Sequence, residues 1–132
     1  MDNNDKVDYW VDLADYDLDS AKVMLNGGKY LYVGFMCHQT VEKVIKAVIA
    51  RDCAEGEIPP KIHHLSKLAS QAGIFVKMSE QQKIFIDNLN PLNIEARYPE
   101  YKQQLLSVLT DDKCKELITE TEALLCWIKK QL

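Results

Sequence analysis

The sequence predicts an all-α fold, an antiparallel up-and-down bundle of four to five helices, formed by residues 1–132 as a single domain. Three observations carry that expectation. Apolar residues recur every three to four positions in several separate stretches, the spacing that lines one face of a helix. No stretch shows a sustained period-two alternation, an internal repeat or a low-complexity run, so nothing asks for a sheet or a solenoid. Glycine and proline cluster between the periodic stretches, and the short links they make place successive helices antiparallel. A chain of 132 residues removes roughly 65–70% of its unfolded surface from water around one core.

The first helix is expected over residues 8–26, where Trp10, Leu13, Ala14, Ala21, Met24 and Leu25 share a stripe and Gly27-Gly28 ends the pattern. A second, the longest and most apolar, is expected from about Tyr30 to Asp52. "AEGEIPPK", residues 54–61, breaks the periodicity and reads as a loop. Leu65, Leu68, Ala69 and Ala72 then suggest a short third helix from His64 to Ala72, stopped by Gly73. Ser79 followed by Gln82 fits a capping box, and Ile84, Phe85 and Leu89 form the stripe of a fourth helix closed by Asn90-Pro91. Pro99 biases Tyr98 towards an extended conformation, and helix resumes over Tyr101 to Leu109. The last helix, about Asp111 to Lys130, has Thr110 as N-cap, acids in its first turn and Lys129-Lys130 in its last, all favourable to the helix dipole. Its stripe is Cys114, Leu117, Ile118, Leu124, Leu125 and Ile128.

Composition narrows the function classes. The chain is 47% apolar and 27% charged, a soluble globular balance, and its apolar runs fall far short of the ~20 residues that span a bilayer. The acidic, polar start "MDNNDKVDYW" is unlike a secretory signal, so a cytoplasmic protein is expected. A formal charge of −4 argues against a generally basic nucleic-acid binder, though a local basic groove is compatible with it. Cys37, Cys53, Cys114 and Cys126 form no C-x-x-C pair and no zinc-like grouping with the histidines. The three that fall in helical patterns, Cys37, Cys114 and Cys126, read as small buried core residues. His63 and His64 are adjacent and point about 100° apart on a helix, which disfavours chelation; His64 suits a cap or packing role. Neither a metal nor a cofactor is expected.

Several residues break the helical patterns. Asp17 falls on the same side of the first helix as Trp10, Leu13, Ala21 and Met24, where an unpaired carboxylate is costly. A cationic partner is the expected remedy. On the second helix the main apolar side runs through Cys37, Val41, Val44, Ile45 and Val48, while Gln39, Glu42, Lys43 and Lys46 project from the other side together with Tyr32 and Phe35. Two readings stay open for that stripe: internal pairing, with Asp17 held by Lys43 or Lys46, or direct contact with a ligand or second subunit. Arg97-Tyr98-Pro99 offers a planar cationic fork on a stiffened chain, suited to phosphate or carboxylate; it also reads as a plain turn with Arg97 paired to Glu95 or Glu100.

Taken in order, "ADYDLDSAKVMLNGGKY" (14–30), "CHQTVEKVIKAVI" (37–49), "HLSKL" (64–68) and "EARYPE" (95–100) together resemble a HEPN domain. The resemblance implies an antiparallel helical bundle and a homodimer, and it matches Asp17, Gln39, Glu42, Lys43, Lys46, His64, Arg97 and Tyr98 to the family's recurrent polar pattern. Many members resemble metal-independent ribonucleases that carry Arg, four to six intervening residues, then His. Here the positions after Arg97 are Lys102, Gln103 and Gln104, so the imidazole that moves a proton in that chemistry is not at its expected place. Other small HEPN proteins resemble partners of minimal nucleotidyltransferases in toxin–antitoxin arrangements. That implies a non-catalytic module binding a nucleotide, RNA or protein partner, with Lys43, Lys46 and Arg97 as cations and Tyr32, Phe35 or Tyr98 stacking a base. An atypical ribonuclease and a purely structural dimerisation domain are the alternatives.

Overall fold

A computed structural model describes residues 2–54, 56–94 and 99–132. Six α-helices follow one another among the described residues: α1 (Asn3–Asn26), α2 (Tyr30–Asp52), α3 (Leu65–Gln71), α4 (Glu80–Ile94), α5 (Pro99–Val108) and α6 (Asp111–Lys129), with one 3-10 turn, Phe75–Lys77, before α4. No strand occurs among the described residues. The architecture is the all-α bundle the sequence predicts, its long members α1, α2, α4 and α6 joined by the shorter α3 and α5.

α2 is the central element, touched by α1, α3, α4, α5 and α6. That position follows from its composition: Cys37, Val41, Val44, Ile45 and Val48 are fully buried, and Ala47 and Ala50 on other sides are as well. Gly34 lets α4 come close, for a Cβ built there would sit 2.9 Å from Leu92 Cδ1. α1 packs along α2 through Ala14, Leu18 and Ala21, and α6 closes the bundle through Cys114, Leu117, Ile118, Leu124, Leu125 and Ile128.

Local chemistry explains the boundaries, including three that differ from the sequence expectation. α1 begins five residues before the expected start at residue 8, because Asp2 Oδ1 accepts from Asp5 N at 2.8 Å and caps the first turn. The Asn3 amide donates to the carbonyls of Arg51 and Cys53 at 3.0 and 2.9 Å, satisfying the far end of α2, and Lys6 Nζ donates to the Glu57 carbonyl at 3.0 Å. The Ser79–Gln82 capping box forms in both directions, at 2.9 and 3.1 Å. α4 does not close at Asn90-Pro91 but runs through Pro91 to Ile94. Pro91 costs one backbone bond, and burial of Leu92 and Asn93 just beyond it offsets the loss. α5 starts at Pro99 rather than Tyr101, since the first helical position tolerates proline. Cys126, expected in the core, is exposed: it lies outside the buried stripe of α6, whereas Cys37 and Cys114 are buried.

Candidate functional site

The polar side of α2 faces α1 and the segment leading to α3, not open water. Two linked groups of side chains form there. In the first, Lys43 Nζ donates to Asp17 Oδ2 at 3.0 Å and to Gln39 Oε1 at 3.1 Å. The Gln39 amide donates onward to Asn93 Oδ1 at 2.9 Å, tying α1, α2 and α4 together. Asp17 and Lys43 are both largely covered, so the carboxylate that looked misplaced on α1 has its cation on α2.

The second group is more deeply buried. Glu42 is 2% and Lys46 6% exposed, and Lys46 Nζ donates to Glu42 Oε2 at 3.0 Å while lying 5.6 Å from the Trp10 ring centroid. The carboxylate holds the ammonium in place where water does not reach, and the indole face adds a favourable quadrupole. Glu42 Oε1 accepts from His63 Nδ1 at 2.9 Å. His38, one turn before Glu42, is fully buried; its Nε2 donates to the His63 carbonyl at 3.0 Å. That bond fixes the Nε2–H tautomer and leaves Nδ1 as an acceptor, towards which the Gln39 amide leans at 3.4 Å. Burial pushes the His38 imidazole down to about 4, against the pull of Glu42.

Of the remaining expected residues, Tyr32 and His64 lie elsewhere. Tyr32 is 56% exposed near the start of α2, and Phe35 is half-buried one turn on. His64 takes no part in either polar group; its Nδ1 accepts from Lys67 N at 3.3 Å and caps α3. Arg97 and Tyr98 lie outside the described residues. Thus the fold gathers Asp17, Gln39, Glu42, Lys43 and Lys46 along one seam, with the exposed Tyr32 and the α3 cap His64 taking no part in its hydrogen bonds. The seam also includes His38, His63, Asn93 and Trp10, which the sequence reading did not place there. One signal for His38 was available: it stands among aliphatic residues, four positions before Glu42 on the same face. No group of three or more metal-ligating side chains converges among the described residues, and no helix among them is long and apolar enough to cross a membrane.

What the seam does chemically is neutralise itself. Each carboxylate faces an ammonium, the buried imidazole stays uncharged, and His63 alone of the group is more than half exposed, at 55% of its side chain. The fold and the family are shared with known proteins. A crystal structure of TT1696 from Thermus thermophilus is similar to it with a TM-score of 0.79 at 20% identity, covering 96% of this chain and 98% of that one; likeness at that identity speaks for the fold. A search of curated proteins found no match. The HEPN domain family model matches residues 7–131, nearly the whole chain, and the protein therefore belongs to the HEPN domain family.

Proposed function

We propose that this HEPN domain is a non-catalytic binding module, homodimeric and cytoplasmic, that folds as one domain over residues 1–132 and acts with a minimal nucleotidyltransferase in a toxin–antitoxin type of pair. The observation that carries the non-catalytic part is the neutralised seam. Lys43 and Lys46, the cations that would meet a phosphate, are each bonded to a carboxylate of the same chain, and the positions where the ribonuclease motif requires histidine hold Lys102, Gln103 and Gln104. With those lysines engaged, recognition of a nucleotide or RNA end falls to Arg97, with Tyr98 or the exposed Tyr32 as stacking partner.

Calorimetry of the purified chain against a panel of nucleoside mono- and triphosphates tests the reading. Binding that Arg97→Ala weakens about tenfold or more, with an unchanged helical circular-dichroism spectrum, supports a nucleotide-recognising module. No heat with any nucleotide removes the nucleotide part. RNA cleavage that survives repurification and is lost in Arg97→Ala overturns the non-catalytic reading in favour of an atypical ribonuclease.

A further inference from the structure

Away from the neutralised seam, an open groove of about 800 Å3 lies between α4 and α6, with the end of α5 at its side. Its floor is apolar, built from Phe85, Leu92, Leu109, Leu117 and Leu124. Ile84 and Val108 flank it and are 58% and 60% exposed. Large aliphatic groups beside an unfilled apolar trough mark a contact surface.

Charge along the α6 edge of the groove says what fits there. Lys113 and Glu120 line it, about 10 Å apart along the helix axis at ~1.5 Å per residue. Lys113 touches Glu116 at 3.6 Å, an exposed contact of little strength with a residue that does not line the groove. Glu120 has no ion-pair partner among the described residues. A twofold axis passing α6 near Leu117, between the two charges, runs the helix antiparallel to its own copy. Lys113 of each copy then meets Glu120 of the other, with the exposed Ile84 and Val108 beside the contact. Such a contact is isologous and closes on itself at two copies.

We propose that the α4–α6 groove is the docking site for a second copy of this chain, in a twofold contact centred near Leu117 with two reciprocal Lys113–Glu120 pairs. This rests on the homodimeric part of the function proposed above. A peptide from an unrelated protein has no reason to require opposite charges on either side of one central leucine, four residues before it and three after it, whereas a self-complementary surface does.

The test is sedimentation velocity on the full chain across a concentration series, for the wild type, Lys113→Glu, Glu120→Lys and the double exchange. Each single reversal sets like charges against each other at two places and is expected to weaken the dimer about tenfold or more. The double exchange restores opposite charges and is expected to return the dissociation constant to within about threefold of wild type. Ile84→Ser, which leaves the charges alone, is expected to weaken the dimer as well. A wild-type dimer that neither single reversal disturbs, or that the double exchange fails to restore, overturns this surface while the homodimer stands. A wild type that remains monomeric throughout the series overturns the homodimer and this inference together.

Discussion

Around Glu42, an ammonium and an imidazole converge on a carboxylate closed off from water, whereas between α4 and α6 leucine and phenylalanine side chains line about 800 Å3 of open space. The two regions reverse the usual sorting of side chains, with charge inside at one and the apolar Ile84 and Val108 exposed at the other. The difference teaches where a bundle of this size holds itself together and where it has something left to offer. A buried, mutually satisfied ionic group fixes helix register and is costly to disturb. An exposed apolar trough adds little to the stability of one chain and gains most when another surface covers it.

The largest effect that separates them is expected from Glu42→Ala, which leaves Lys46 buried under Trp10 with no counter-charge. A loss of about 3–5 kcal/mol is expected in urea unfolding, and a loss below about 1 kcal/mol would mean that water reaches the group. Replacing both partners with apolar residues, Glu42→Leu with Lys46→Met, is expected to recover most of it.

His38 gives the next effect, and it depends on pH. Its imidazole is neutral in the fold down to about 4, while in the unfolded chain it takes a proton below its ordinary value near 6.5. The unfolded state therefore binds more protons between these limits. This contribution is complete above about pH 6.5, declines as pH falls towards 4, and amounts to about 3 kcal/mol over the window. His38→Gln, whose amide can still donate to the His63 carbonyl, is expected to flatten that part of the pH profile of urea midpoints. Equal slopes in the two proteins would contradict a buried neutral histidine.

The smallest effect belongs to the groove. Ile84→Ser is expected to change single-chain stability by no more than about 0.5 kcal/mol, measured as the urea midpoint at a concentration too low for association. A larger loss would make Ile84 part of the core and erase the contrast between the two regions.

The two regions also differ in how far the sequence discloses them. Period-3.6 stripes, Ser79–Gln82 and Thr110 locate most of the helices, because those signals act within one turn. α4 passing through Pro91 is not legible in that way, since what carries it on is burial of Leu92 and Asn93 against residues far away in the chain. The stripe Gln39, Glu42, Lys43 and Lys46 is visible as a pattern, but which cation meets Asp17 is decided by the rotation of α1 on α2. His63 is harder still, because its place beside Glu42 depends on the path of a connection that has no periodicity. The groove leaves no mark at all: Leu117 and Leu124 are core positions by pattern and by burial, and that they also line a trough depends on how far α4 and α6 stand apart.

The Asn3 clasp on the last carbonyls of α2, together with Lys6 on the Glu57 carbonyl, has a consequence for how the molecule opens. The leading turn of the chain and the connection that follows Asp52 hold each other down, so they are expected to fray as one cooperative unit ahead of the core. Trimming the first six residues would thus be felt about fifty positions away, as faster amide exchange and readier cleavage by protease where α2 ends.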